Sequence, residues 1–206
     1  MDGTLIRNTN SVRYLCKLNN NLIELEKIEY LENNKSISWI EADYLKAKLI
    51  KGLDLKNVEE KFKDNVGLIQ NLQWVLMYLG EKGVKSVLIT AGPIQVANIL
   101  GTKFGFDGVY GSLYEVKGHK FTGKITTHLG NNDKLECLND FCAKNGIATD
   151  NCIAIGDSES DIEIFKKCAK SIAINYSDTL KGKASAYLIT DDLADIIGII
   201  EPWLGE

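Results

Sequence analysis

Apolar and polar positions follow two different patterns along the chain, and the second pattern begins near residue 84. From there, short apolar runs that predict buried strands alternate with amphipathic segments that predict helices. The predicted strands cover residues 84–90, 151–157, 171–175 and 186–190, and the predicted helices cover residues 94–105, 134–146, 160–169 and 191–200. Strands joined by helices in this way lie parallel, with right-handed crossovers. The pattern therefore predicts an α/β fold, a doubly wound parallel sheet with helices on both faces.

The first pattern, over residues 10–64, predicts helices only. This segment contains no β-rich run, and helices are predicted at about 10–31, 38–50 and 56–64. We interpret residues 10–64 as a small helical cap on an α/β core formed by residues 1–9 and 65–206.

Two further segments connect these parts. Residues 66–83 predict a helix that returns to the sheet, with Leu68 and Ile69 at the start of its apolar face. Residues 109–129 contain turn dipeptides and β-branched residues, which predict a hairpin-like excursion. His119 and His128 lie in that excursion without partners at motif spacing, so we expect both on the surface.

The composition argues against nucleic acid and anionic membranes as partners. The chain has 206 residues and a formal net charge of -4, so it lacks the basic surface that nucleic acid or an anionic membrane attracts. Its five cysteines form no Cys-x-x-Cys pair, which favours unpaired thiols in a reducing compartment. The sequence shows no signal peptide, and no apolar run reaches the ~20 residues of a membrane span. We therefore expect a cytoplasmic protein.

The stretch IAIGDSESDIEIF carries the strongest chemical signal. Its apolar strand delivers Gly156 and Asp157 to the carboxyl end of a parallel sheet, where open α/β sheets bind ligands. Asp161 follows about one helical turn later, and two carboxylates so placed suit a hard cation such as Mg2+. The alternative is a structural role, in which Ser158 caps the next helix and Asp161 completes a capping box.

Three other short stretches carry polar groups at element ends. Thr90 ends a strand, and N–H groups near Ala91 and Gly92 could cradle a phosphate, although a simple threonine cap has the same sequence. Lys134 begins a helix and is either a group that neutralises a phosphoryl or a solvated surface lysine. Asp2 opens Asp-Gly-Thr, which is also a common turn.

These four motifs in this order resemble the haloacid dehalogenase (HAD) superfamily of phosphohydrolases, and the resemblance covers nearly the whole chain. The helical segment after the first motif and the stretch GFDGVYGSLYEVKGHKFTGKI are most similar to its phosphoserine-phosphatase-like branch. The resemblance implies a Rossmann-like core, Mg2+ as cofactor and a small phosphorylated metabolite as substrate, with neither nucleic acid nor membrane as a partner.

The resemblance also implies a role for each residue. Asp2 is the general acid and base, and its backbone carbonyl binds Mg2+. Thr90 binds the phosphoryl oxygens together with N–H groups near Ala91 and Gly92, and Lys134 holds the nucleophile and the phosphate together. Asp157 binds Mg2+ directly, while Asp161 holds a bound water or orients Asp157.

The sequence departs from the family pattern in one place. The pattern Asp-x-Asp-Gly-Thr puts the nucleophilic aspartate, which forms an aspartyl-phosphate, immediately before Met1. The apolar strand that precedes this aspartate in the family is also outside the sequence. Either the sequence begins late, at an internal methionine, or the protein is a non-catalytic form. We favour the first, because a sheet without a central strand would expose unpaired edges and apolar helix faces.

The substrate pocket departs from the branch pattern as well. The glutamate that binds the amino acid substrate in the branch corresponds to Thr9, and the arginine region corresponds to Tyr44, Leu45 and Lys46. Lys46 could bind a carboxylate, but it is a point charge and does not replace a bidentate guanidinium. Phosphoserine is therefore one candidate beside other small phosphomonoesters.

Three alternative functions remain at this stage. One is a regulatory protein that keeps an Mg2+ and phosphate cradle without turnover. A response-regulator receiver domain is disfavoured, because its acidic pair comes at the start of the chain and here Asp157 and Asp161 follow Lys134. Phosphotransfer to an acceptor other than water is the third.

Overall fold

The structure is a computed structural model that describes residues 1–130 and 133–204. The strands in this range are β1 (Val87–Pro93), β2 (Gly108–Lys117), β3 (Lys120–Thr127), β4 (Ile153–Gly156), β5 (Lys170–Ile174) and β6 (Ala186–Leu188). The α-helices are α1 (Ser11–Leu18), α2 (Leu22–Asn33), α3 (Trp39–Leu49), α4 (Leu55–Asn65), α5 (Leu72–Glu81), α6 (Ile94–Phe104), α7 (Asp133–Asn145), α8 (Ile162–Lys167) and α9 (Ile197–Ile200).

The strands form two separate three-stranded sheets, ordered β1-β2-β3 and β4-β5-β6. The pairs β1–β2, β4–β5 and β5–β6 are parallel, whereas β2 and β3 form the antiparallel hairpin that the sequence predicts. Helix α6 packs on β1 and β2, and α7 packs on β1. The predicted α/β class with parallel strands is confirmed.

An apolar groove of about 430 Å³ lies beside β1 and β4, each of which is an end strand of its sheet. Val87, Leu88 and Ile89 line it from β1, and Ile153 and Ile155 line it from β4. Its remaining walls include apolar side chains of α5 and α7, together with Met1 and Leu5. Within the described residues, β1 and β4 each pair along one edge only, so both present an unpaired edge.

The helical segment contains four helices where three were predicted. The first predicted helix is divided by Asn19, Asn20 and Asn21, because Asn20 takes a left-handed conformation with φ of 56°. Asn10 and Ser38 cap α1 and α3 by accepting hydrogen bonds from backbone N–H groups in the first turn. Backbone hydrogen bonds from Gly52 and Phe121 tie this segment to the β2–β3 hairpin.

Two predicted helices are shorter than the apolar pattern suggests. The prediction over 66–83 is wrong for its first residues, because α5 begins at Leu72 after Asn71 takes a φ of 56°. Residues before it are extended, and Leu68 forms an isolated bridge with Ile6. At the end of the chain, a 3-10 helix over Leu193–Ile196 precedes the short α9. No helix among the described residues is both long and apolar enough to cross a membrane.

Candidate active site

The Asp-Gly-Thr stretch forms a tight loop against Asp157. The carbonyl oxygen of Met1 accepts hydrogen bonds from the N–H groups of Leu5 and Ile6, at 2.8 and 3.1 Å. Gly3 has a φ of +74°, and a Cβ at this position would lie only 2.1 Å from Oδ2 of Asp157. A glycine is therefore required here by both conformation and space. Thr4 strengthens the contact, since its Oγ1 donates to Oδ1 of Asp157 at 2.9 Å.

Asp2 is half-buried, and its carboxylate is held by the start of α1. The backbone N–H of Ser11 donates to Oδ1, and the Ser11 hydroxyl donates to Oδ2, both at 2.6 Å. Burial raises the pKa of the Asp2 carboxyl above its ordinary value, although the terminal amino group and the Ser11 hydrogen bonds oppose this shift. A carboxyl group in this environment takes up a proton more readily than one in water.

Asp157 and Asp161 have different environments although they lie only four residues apart. Oδ2 of Asp161 accepts from the N–H groups of Asp157 and Ser158 at 3.0 and 3.2 Å, and the capping box that the sequence allowed is present. Oδ1 of Asp161 accepts from Nζ of Lys134 at 2.8 Å, so both oxygens are engaged. Oδ2 of Asp157, by contrast, has no hydrogen-bond donor in the part of the chain that the structure describes.

The two carboxyl groups have pKa values that are shifted in opposite directions. Burial raises the pKa of Asp157, and the Asp161 charge adds to this rise, while the terminal amino group, Thr4 and Lys134 oppose it. For Asp161, burial acts in the same direction, but the charge and hydrogen bond of Lys134, the terminal amino group and the Ser158 N–H together outweigh it and lower the pKa. Asp161 is therefore the stably charged carboxylate of the two.

Thr90, Ala91 and Gly92 lie at the carboxyl end of β1, which continues to Pro93, three residues further than predicted. Oγ1 of Thr90 accepts from the N–H of Gly92 at 3.0 Å, which leaves the hydroxyl proton available for a ligand. A Cβ on Gly92 would lie 3.0 Å from Oδ2 of Asp2, so this turn adjoins the Asp2 carboxylate.

Lys134 is buried, with 6% of its surface exposed, so the alternative of a solvated surface lysine is wrong. Its Nζ donates to Oγ of Ser160 at 2.6 Å as well as to Asp161. An ammonium group has three donors, and these two contacts leave one for a further acceptor.

All the site residues named from the sequence line one pocket of about 460 Å³: Asp2, Thr90, Ala91, Gly92, Lys134, Asp157 and Asp161. The described residues contain no cluster of three or more acidic, histidine or cysteine side chains around one metal position. Mg2+ does not need such a cluster, because it commonly binds one or two carboxylates and keeps water and phosphate oxygens as its other ligands. The free oxygen of Asp157 in a pocket with other carboxylates fits such an ion.

The helical segment adds residues to the pocket, of which only Lys46 was considered from the sequence. Glu32 of α2 and Trp39, Asp43 and Lys46 of α3 line the pocket from the helical segment. Their separation from the motifs hides them, because only folding brings the helices over the sheet ends. Ser11 and Ser160 were also missed, although both lie in or near the motifs and a serine at a helix start is a general signal for a hydrogen-bonding position.

One histidine expectation was wrong. His119 is exposed as expected, but the side chain of His128 is only 6% exposed. Nε2 of His128 lies 2.9 Å from Oδ2 of Asp43, and its ring packs against those of Trp39 and Tyr44. His128 therefore packs against the α3 residues that line the pocket.

The sequence is similar to a family of hydrolases and to phosphatases within it. The family model of haloacid dehalogenase-like hydrolases matches residues 1–166. Phosphoserine phosphatases of Archaeoglobus fulgidus and Methanocaldococcus jannaschii are 23% and 26% identical, each over 86% of this chain. The chain spans 52% of the length of the first and 84% of the second.

Solved structures show the same fold over nearly the whole chain. A substrate-bound phosphoserine phosphatase complex superposes with a TM-score of 0.84 at 25% identity, covering 98% of this chain and 95% of that one. A phospho-aspartyl intermediate analogue of phosphoserine phosphatase gives a TM-score of 0.83 at 25% identity, covering 98% and 96%. With the matched family model, these similarities show that the chain belongs to the haloacid dehalogenase-like hydrolases, in their phosphoserine-phosphatase-like branch.

Proposed function

We propose that this protein is a Mg2+-dependent phosphatase that hydrolyses a small phosphorylated metabolite through an aspartyl-phosphate. One observation carries the proposal: four separate stretches of the chain bring Asp2, Thr90, Lys134 and Asp157 into a single pocket. The pocket combines hydroxyl and ammonium donors with carboxylates, which are the groups that phosphoryl transfer requires.

The donors of the pocket are suited to a phosphoryl group. The Thr90 hydroxyl accepts from the N–H of Gly92, so its own proton remains available to donate to a phosphoryl oxygen. Lys134 is fixed by Asp161 and Ser160 and has one N–H left for the same group. Because both donors are held in place, they need little reorganisation when charge develops on the phosphoryl oxygens.

Asp2 is the proposed general acid and base. Its carboxyl group protonates the leaving alcohol and then takes a proton from the water that attacks the phosphoenzyme. Ser11 holds both carboxyl oxygens in one orientation, which supports repeated proton transfer along a fixed direction.

Asp157 would hold Mg2+ through its free Oδ2, together with the backbone carbonyl of Asp2. Asp161 would act on Mg2+ indirectly, because its own oxygens are engaged by Lys134 and by two backbone N–H groups, one of them that of Asp157. When bound, Mg2+ supplies positive charge beside the transferring phosphoryl group.

The nucleophile in this proposal is an aspartate joined directly to Met1, at the end of an apolar strand. The groove beside β1 and β4 supports it, because a parallel strand there would pair with both free edges and bury the apolar lining.

The test compares residues 1–206 with a chain extended before Met1 by an apolar strand that ends in Asp. We expect little turnover from the first protein and Mg2+-dependent phosphate release from the second, measured on a panel of phosphomonoesters with EDTA as control. The matched variant ends the same strand in Asn, and it should fold equally well without releasing phosphate or forming an acid-stable phosphoenzyme.

Rapid turnover by residues 1–206 with a phosphoenzyme trapped on another residue would refute the proposed nucleophile. Phosphate binding without turnover by the extended Asp protein would instead favour the non-catalytic alternative.

A further inference from the structure

We infer that the substrate's leaving group carries an ammonium and no carboxylate, so that the substrate class is the phosphorylated amino alcohols. This inference rests on the proposed function, because it assigns the phosphate to the cradle formed by Thr90 and Lys134. It concerns the opposite wall of the same pocket, which Glu32, Trp39, Asp43 and Lys46 provide.

This wall consists of one face of α3 and the end of α2. Trp39, Asp43 and Lys46 are spaced by four and three residues, so they project from one side of α3 toward the pocket. Glu32 reaches the same place from the last turn of α2. The wall therefore lies where the alcohol part of a phosphomonoester would extend from the phosphate cradle.

The charge on Lys46 is already neutralised within the protein. Its Nζ lies 2.6 Å from Oε2 of Glu32 and 3.7 Å from Oδ1 of Asp43, and its side chain is only 12% exposed. A substrate carboxylate would have to compete with two carboxylates that hold this ammonium in place. Lys46 is consequently a poor counterpart for a carboxylate, in contrast to its suggested role from the sequence.

The surplus charge of the wall is negative. Glu32 and Asp43 contribute two carboxylates against the one ammonium group of Lys46, and the His128 ring contacts Asp43. On the core side, the charged groups Asp2, Lys134, Asp157, Glu159 and Asp161 face the phosphate and metal end.

An ammonium group complements this wall in two ways. It adds a positive charge beside two carboxylates in a partly buried site, where charge pairs are screened less than on the surface. It would also lie near Trp39, which lines the pocket and is an aromatic residue of the kind that attracts cations. A carboxylate in the same place would meet repulsion from Glu32 and Asp43.

The test uses three phosphonates of similar length that are not hydrolysed: aminoethylphosphonate, phosphonopropionate and propylphosphonate, whose alkyl end carries no charge. Their binding to residues 1–206 is measured by isothermal titration calorimetry with Mg2+ at a pH of about 8. We expect aminoethylphosphonate to bind about tenfold more tightly than propylphosphonate, and phosphonopropionate to bind more weakly than both.

The variants Glu32→Gln and Asp43→Asn should each reduce the preference for the ammonium ligand about three- to tenfold. Glu41→Gln is the matched control, because it removes the same charge from an exposed position of α3 outside the pocket and should leave the preference unchanged. Thermal unfolding shows whether each variant is folded. If Asp43→Asn disturbs the packing of His128, the test is decided by Glu32→Gln alone.

The outcomes separate the two proposals. Equal binding of the three ligands, or tightest binding of phosphonopropionate, would overturn the inference and leave the phosphate cradle intact. Failure of all three ligands to bind, propylphosphonate included, would overturn the proposed function and this inference with it.

Discussion

Replacement of Lys134 by Met tests whether the centre of the site is held by a buried ion pair. Lys134 is 6% exposed and donates to Asp161 at 2.8 Å and to Ser160 at 2.6 Å. Removing one partner of a buried pair costs about 3–5 kcal/mol, since the other charge remains in a poorly solvated place. Asp161 keeps two backbone N–H donors, so we expect the lower end, about 3 kcal/mol of unfolding free energy.

A double-mutant cycle isolates the pair. Asp161→Asn in the Lys134→Met background removes the carboxylate that has lost its partner. The double variant should therefore lose about 1–3 kcal/mol less unfolding free energy than the sum of the two single losses. The measurement is urea unfolding of wild type, both single variants and the double variant, with Lys166→Met as a control for an exposed lysine. Additive losses, or a loss below about 1 kcal/mol for Lys134→Met, would refute the reasoning.

The difference in unfolding free energy between wild type and Lys134→Met should depend on pH in one direction. The pKa of Asp161 is lowered in the folded state from its ordinary value of 3.8, because the ion pair and hydrogen bonds outweigh the opposing effect of burial. A group of this kind stabilises the fold above its unfolded pKa, and that stabilisation disappears as the pH falls through the folded pKa. The gap between wild type and Lys134→Met should therefore be constant near neutral pH and shrink below a pH of about 4.

Two further substitutions test other parts of the site. Gly3→Ala places a Cβ 2.1 Å from Oδ2 of Asp157 at a φ of +74°, so we expect it to lose more than about 2 kcal/mol of stability in urea unfolding. Gly52→Ala is the control: its φ is +85° but its Cβ would point into open space, so it should lose only about 1–2 kcal/mol. Tyr114→Phe removes a buried hydroxyl that lacks a hydrogen-bond partner among the described residues, so the melting temperature should rise, equivalent to about 1 kcal/mol. A similar loss for both glycine variants, or a clear destabilisation by Tyr114→Phe, would contradict these expectations.

Much of the core could be predicted from the sequence because its signals are local. The apolar run before Gly156 and the amphipathic segment that ends at Gly105 correspond to β4 and α6 within one or two residues. A glycine in the left-handed conformation ends a helix wherever it occurs, so its effect needs no tertiary information. The start of α5 could not be predicted in this way, because residues 66–70 are mostly apolar, while Leu68 and Gln70 form bridges with Ile6 and Asp192 instead of helical turns.

The candidate site shows the same division. The positions of Asp2, Thr90, Lys134 and Asp157 in one pocket could be predicted, because parallel strands end at a common edge and the motifs follow those ends. The exposure of His128 and the role of Lys46 could not be predicted. Both depend on Asp43 and Glu32, whose proximity arises only when α2 and α3 fold over the pocket.

The sequence by itself determined the class of the fold, the order of its strands and helices, and the stretches that carry the chemistry. These features follow from hydrophobic periodicity and from residue types at element ends, which act over a few neighbouring positions. Only the tertiary structure decided that Asp161 is engaged by Lys134, that Asp157 keeps one free oxygen, and that the charge on Lys46 is already neutralised. Charge pairing and desolvation depend on which distant side chains share a small volume, and no local pattern contains that information.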